Sequence, residues 1–360
     1  MKRKIILVLC TAAILSVLAS CGNKESKENA SAAASADTAA VSEASQDLPA
    51  PDTSVVSETG SGSDDIEDET AGEGTVPEMS TESVLPEDSP EESPEEAFRM
   101  PETLGDMKAM DAAALYAAAT KDPELMAWFM DERVPKNTYQ NISFRHEDGR
   151  VYYEEEGFTS ILGIDVSSHQ GEIDWEAVKA SGIDFVIIRA GFRGYGESGS
   201  LNEDAMFRQN LAGAKAAGLK VGAYFFSQAL TEEEAYEEAD FLLQILDGEP
   251  LDLPLVFDEE HIRGDEARTD AMALSQATAN ALAFCERVST AGYTPMVYTN
   301  LLWEGLVYDM ASLTEYPVWY AGYDPVPLTP YLFEYWQYSE SGTVPGIDGK
   351  VDLDIRIIHG

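Results

Sequence analysis

From residue 161 onward the chain alternates short apolar runs with amphipathic helical stretches, and few folds accept that pattern. Eight runs read as buried strands: ILGIDVS, DFVIIRAG, KVGAYFFS, LPLVFDEE, TPMVYTN, YPVWYAGY, EYWQYS and VDLDI. Five helical stretches separate the first six. The clearest spans Asp204–Ala217, where Phe207, Leu211 and Ala214 share a face and Gly218 follows as a stop. The last two connections have no room for a full helix. Such alternation implies a parallel sheet under helical cover. Eight strands within residues 161–360 imply a closed barrel at the short end of its size range. The expected fold is therefore α/β, a TIM-like barrel of (β/α)5(β)3 type. A doubly wound open sheet is the competing reading. It lacks a Gly-rich phosphate loop after the first strand, and the run Gly191–Gly196 has the wrong spacing for one.

The chain upstream is of another kind. Lys2, Arg3 and Lys4 precede a short apolar core ending in Leu18-Ala19-Ser20-Cys21. This is the layout of a signal peptide over residues 1–20, and its end resembles a bacterial lipobox with Cys21 as the lipidated residue. A membrane partner through that lipid, on the extracellular face, is the expectation. Residues 22–98 carry 21 acidic and two basic side chains, and no aromatic appears before Phe98. A segment so charged cannot bury enough surface to offset its chain entropy, so 21–98 is expected to be a disordered spacer. A specific partner for its acids is the less economical reading. Residues 99–160 hold helical patterns such as AMDAAALYAAAT and read as a helical neck. On this reading a chain starting near residue 155 should fold and keep its site.

The formal net charge of −43 excludes a nucleic-acid binder, which needs clustered Lys and Arg. Residues 99–360 alone carry −27, so charge attraction to anionic polymers does not bring the domain to a substrate. Cys10, Cys21 and Cys285 make neither a disulfide framework nor a four-ligand zinc site. The folded part is expected to be a monomer.

Candidate chemistry gathers at strand ends, where barrels of this kind carry their active sites. Asp165 ends strand one, Asp258 and Glu260 end strand four, and Asp352 lies in strand eight, the neighbour of strand one in a closed barrel. Two residues apart, Asp258 and Glu260 point to the same side, and Glu259 to the other. Repulsion and burial within such a cluster raise at least one pKa and create a proton donor near neutral pH. Paired carboxylates of this sort point to glycoside hydrolysis. A lone acid in so acidic a chain would be mere surface; four at strand ends are not. Tyr224, Phe226, Tyr298, Trp319, Tyr323, Trp336 and Tyr338 crowd the later strands, divided between barrel filling and a sugar-stacking platform. Gln337, in the same WQYS segment, joins them as a sugar-binding candidate. His169 and His261 lack an i, i+4 histidine or a cysteine partner, so neither metal nor cofactor is expected.

The segments GIDVSSHQGEIDWEAVK, FVIIRAGF, AAGLKVGAYFFS, PLVFDEE, PMVYTN, PVWYAGY and WQYSESGTVPGIDGKVDLD run in order over residues 161–358. Together they resemble glycoside hydrolase family 25, the Chalaropsis-type lysozymes. The resemblance implies a β-1,4-N-acetylmuramidase acting on peptidoglycan glycan strands. It implies Glu260 as general acid and Asp258 as its partner, orienting the substrate acetamido group or a water. Asp165 and Asp352 would be further acids of the cleft. Two positions depart from the family pattern: Glu259, often apolar or aromatic there, and Asp354, where Asn is common. Neither is expected to touch the four acids. The alternative is a catalytically weak, wall-binding lipoprotein that keeps the cleft without turnover.

Overall fold

The structure, a computed structural model, describes residues 100–360 apart from 109, 123–125 and 128. The signal peptide, Cys21 and the acidic spacer expected from the sequence lie outside the described residues. Strands β3 (Phe158–Val166), β4 (Phe185–Arg193), β6 (Lys220–Ser227), β7 (Leu255–Glu259), β8 (Pro295–Asn300), β9 (Val318–Ala321), β10 (Tyr335–Gly342) and β11 (Val351–His359) form one ring. Direct pairing of β3 with β4 closes it. Helices α2 (Trp175–Ala180), α3 (Phe207–Ala216), α4 (Glu232–Leu246) and α5 (Leu274–Thr290) supply four of the five expected covers. The fifth is only a π-helical turn, Trp303–Val307. The (β/α)5(β)3 barrel read from the sequence is the observed fold. A short extra strand, β5 (Leu201–Glu203), pairs antiparallel with β4 at its outer end.

The ring is parallel except at one place. β11 runs antiparallel to both β10 and β3. Only residues 343–350 connect β10 to β11, too few for the crossover that a parallel pair needs. This corrects one expectation: Asp352 sits at the start of its strand rather than at its end. Because the strand is reversed, its start lies at the same mouth of the barrel as the other strands' ends, and Asp352 is the register partner of Asp165.

Side chains alternate between two cores, as strand geometry requires. Phe185, Ile187, Val256, Met296, Tyr298, Trp319 and Tyr335 fill the barrel. Ile188, Ala190, Phe225, Leu255, Phe257 and Val297 face outward under α4, α5 and their neighbours. Gly163 is a forced small residue in this filling, because a Cβ there would lie 2.1 Å from the Phe185 ring.

The segment before the barrel carries a hairpin besides its helical part. Among the described residues it holds the helix α1 (Ala112–Ala119), within the expected AMDAAALYAAAT stretch and capped by the Asp111 carboxylate accepting from the Ala114 N–H at 2.9 Å, and a hairpin of β1 (Phe144–Glu147) and β2 (Arg150–Tyr153). It wraps the barrel. The Leu104 N–H bonds Met272 O at 3.1 Å, and Phe129 packs on Gly305. The Asp131 N–H donates to the Tyr331 hydroxyl at 2.7 Å, and the Phe144 ring meets Trp336 at 5.2 Å. Leu104, Met107, Phe129, Val134, Phe144, Val151 and Tyr153 are all buried in the outer core. That packing argues against the expectation that a chain starting near residue 155 is self-sufficient.

Candidate active site

Inward-facing positions change character along each strand. On β4 they read Phe185, Ile187, Arg189; on β7 and just beyond it, Val256, Asp258, Glu260; on β8, Met296, Tyr298, Asn300. Apolar side chains fill the closed end and polar ones line the open end. The result is a cavity of about 370 Å³ at the barrel mouth, lined among others by Asp165, Asp258, Glu260 and Asp352. Asp165 and Asp258 are each 5% exposed, while Glu260 and Asp352 are partly buried nearer the rim.

Burial is the first cause of every pKa shift in this cluster, and like charges add to it. Asp165 is held well above the carboxylate range by burial and then by Asp354. Asp258 is pushed well up by burial, then by Glu260 and Asp165. Glu260 is raised by burial, opposed by the Tyr298 hydroxyl and by Arg263. Asp352 is pushed up to about 9 by burial and by Asp165. Burial and mutual repulsion thus keep the four acids from all being ionised together. Arg189 opposes the shift of Asp258, and an ion pair fixes its guanidinium: its Nε donates to Asp204 Oδ2 at 2.8 Å and its Nη2 to Ser168 Oγ at 3.1 Å.

Neutral donors orient the acids. Gln337 Nε2 donates to Asp165 Oδ2 at 2.8 Å, and its Oε1 accepts from the Tyr298 and Tyr323 hydroxyls at 3.0 and 2.9 Å. Trp319 Nε1 donates to Asp354 Oδ1 at 2.8 Å. One oxygen of Asp258 has no partner and is buried. Such a cleft can bind a polyhydroxylated chain, hold a proton next to a buried carboxyl, and limit access of water.

The family model for glycosyl hydrolases family 25 matches residues 164–347, just over half of the chain. The chain belongs to glycosyl hydrolase family 25. It is 31% identical over 195 residues to the autolytic lysozyme of Clostridium acetobutylicum, covering 53% of this chain and 54% of that one. It is 29% identical over 236 residues to lysozyme M1 of Streptomyces globisporus, covering 61% and 77%. The solved bacterial lysozyme of Streptomyces coelicolor is similar at 27% identity with a TM-score of 0.45, over 54% of this chain and 90% of that one. The chain thus spans about half the length of the clostridial relative.

Within the family 25 barrel, Asp165, Asp258, Glu260 and Asp352 line one cleft with Tyr224, Phe226, Tyr298, Trp319, Tyr323 and Gln337. Trp336 does not join them. It is fully buried on the outer face, stacked edge-on with Phe144 and Tyr338, its Nε1 donating to Gly322 O at 2.7 Å. Strand alternation makes the choice: Gln337 points in, so Trp336 points out. Asp354 is the residue the sequence reading misplaced. Two positions after Asp352, it faces inward, is completely buried, and shares a hydrogen bond with Asp165. The i, i+2 rule that joined Asp258 to Glu260 would have found it. Arg189 was signalled only as a charge inside an otherwise apolar strand. The family match ends before Asp352 and Asp354, so geometry alone brings these two to the site. His169 and His261 line the cleft as well. Burial lowers His261 to about 4, and its ring stands edge-on to Trp303 at 4.4 Å. Among the described residues no group of three or more His, Cys, Asp or Glu is placed to hold a metal ion.

Glu259 leaves β7 on the other face, into the outer core, 1% exposed and with both oxygens unpartnered. Burial, followed by Glu238, raises its pKa well above normal. A raised acid is most stabilising below the ordinary carboxylate range and loses that contribution as pH climbs through the raised value. Glu259→Gln therefore keeps hydrolytic activity and raises Tm at pH 8, with the two proteins converging near pH 4. The retained proton costs about 1.4 kcal/mol per pH unit, which corresponds to a few degrees of Tm per unit. Thermal unfolding at several pH values checks this; an equal Tm change at all pH values would sink it.

Proposed function

We propose that this protein is a membrane-tethered peptidoglycan hydrolase that cuts the β-1,4 bond between N-acetylmuramic acid and N-acetylglucosamine. The observation that carries the reading is the convergence of Asp165, Asp258, Glu260 and Asp352 on one cleft of a family 25 barrel. Lysozyme names among the relatives support it. Glu260, nearer the rim beside Tyr298, gives its proton to the leaving sugar oxygen. Asp258, one layer deeper and steadied by Arg189, carries the charge that faces the developing oxocarbenium ion, either directly or by orienting the acetamido group or a water. Asp165, with Asp352 and Asp354 against it, keeps the remaining protons and holds Gln337 in place. The aromatic rings of Tyr224, Phe226, Trp319 and Tyr323 offer apolar faces to sugar rings.

Digestion of purified peptidoglycan, with mass spectrometry of the new reducing ends, tests the reaction. N-acetylmuramic acid ends are expected. Ends in N-acetylglucosamine, or no new ends, would overturn the assignment.

The lipobox-like Leu18-Ala19-Ser20-Cys21 supports a lipid anchor at Cys21, with the acidic segment 22–98 carrying the barrel away from the outer membrane surface of the cell's lipid bilayer toward the wall. Cys21→Ser should move the protein from the membrane fraction to the soluble fraction with its hydrolysis intact. A variant that still sediments with membranes would refute the anchor.

A further inference from the structure

Peptidoglycan glycan carries peptide stems that end in carboxylates, yet the folded part of this chain is strongly negative and five of its carboxyl side chains line the cleft. An anionic substrate is repelled unless cations meet it. Three cations line the cleft: Arg189, Arg263 and Lys350. Arg189 is committed to Asp204 and Ser168. The other two are not. Arg263, just beyond β7, has a side chain 64% exposed, and its ion pair across the mouth to Glu340 on β10 is loose at 3.7 Å. Lys350, just before β11, makes no ion pair among the described residues, and only its carbonyl is engaged, by Gln170. Lys108, Lys215, Arg268 and Arg356, by contrast, lie 2.5–2.8 Å from a carboxylate. Arg263 and Lys350 are thus the two cations of this cavity left without a close carboxylate among the described residues.

Their placement matters too. β7 and β11 lie four strands apart around the ring of eight, so Arg263 and Lys350 stand on opposite banks of the cleft. We infer that Arg263 and Lys350 are the stem-recognition residues of this cleft, binding carboxylates of the peptide stems and favouring stem-bearing anionic glycan over neutral glycan. The inference rests on the hydrolase reading above. Arg263 exchanges its loose contact with Glu340 for a substrate carboxylate, which its planar guanidinium can take with two parallel hydrogen bonds. Lys350 serves as a point charge on the far bank.

The test compares two soluble substrates: stem-bearing glycan fragments with free carboxylates, and the same fragments amidated with carbodiimide and ammonia. Wild type should show kcat/KM about tenfold higher on the free-carboxylate fragments at low salt, a preference that shrinks as salt screens the charges. In the R263Q/K350Q double variant the ratio should fall to about one, with each single variant between. Circular dichroism melts confirm that the variants fold. Equal wild-type rates on both fragments, or a double variant that keeps the wild-type ratio, overturn the inference and leave the hydrolase reading standing. A wild type that cuts neither fragment overturns the hydrolase reading, and this inference with it.

Discussion

Glu260→Gln should lower kcat on peptidoglycan by about 10²–10⁴-fold, the usual loss when a general acid is removed, with the fold intact. The amide keeps the shape of the carboxyl and its contact with Tyr298, but has no acidic proton to give. Burial raises the Glu260 pKa, so the wild-type rate should fall as pH rises through that value, because only the protonated form donates. In the variant this alkaline limb should disappear along with most of the rate. Asp258→Asn should be similarly severe, since the group facing the positive transition state loses its charge. Glu259→Gln is the built-in control: same strand, adjacent residue, opposite face. If Glu259→Gln proved as damaging as Glu260→Gln in single-turnover rates with both proteins folded, the assignment of the inward face of β7 would be wrong.

What the sequence revealed of this site follows the reach of its local rules. Alternation within a strand is local, so Asp258 and Glu260 were legible as a pair and Glu259 as their opposite. Strand adjacency in a closed barrel is a topological rule, and it joins Asp165 to Asp352 from sequence order alone. The direction of β11 was misread because strand pattern carries no arrow; only the eight-residue connection from β10 encodes the reversal. Asp354 is legible by the same alternation, two positions on from Asp352, and the expectation that it stands clear of the four acids ignores that parity. Trp336 was misassigned for the opposite reason: an aromatic residue looks like a sugar platform wherever it stands, and only its parity with Gln337 sends it outward. Arg189 needs a partner fifteen residues away, Asp204, and such a pairing is not written in local pattern. Before the barrel, α1 is legible in the AMDAAALYAAAT spacing, whereas the short β1–β2 hairpin is too brief for a strand period to show.

A chain beginning at residue 155 should fail to fold. The truncation removes Leu104, Met107, Phe129, Val134, Phe144, Val151 and Tyr153 from the outer core, and each large apolar side chain is worth about 1.5–3 kcal/mol when fully buried. Loss on one side is only half of the effect. Trp336, Tyr331 and Phe333, now packed under Phe144, Lys136 and Tyr139, would face water. Ordering entropy is recovered for the deleted residues, which reduces the net change, but the uncovered barrel wall recovers nothing. Against a typical stability of about 5–15 kcal/mol, the remaining deficit is enough to unfold the domain or drive it to aggregate. The same segment also holds the loop that follows Glu260. The Leu104 N–H binds Met272 O, Thr103 bridges to Ala273, and Lys108 Nζ sits 2.7 Å from Asp270 and 2.8 Å from Asp265 O. A chain beginning at residue 100 keeps all of these contacts and should unfold cooperatively, with hydrolysis equal to that of the full chain. Circular dichroism melting of the two truncations side by side decides the matter: a cooperative, wild-type-like transition in the chain from 155 would show that the wrap is dispensable and that the barrel carries its own stability.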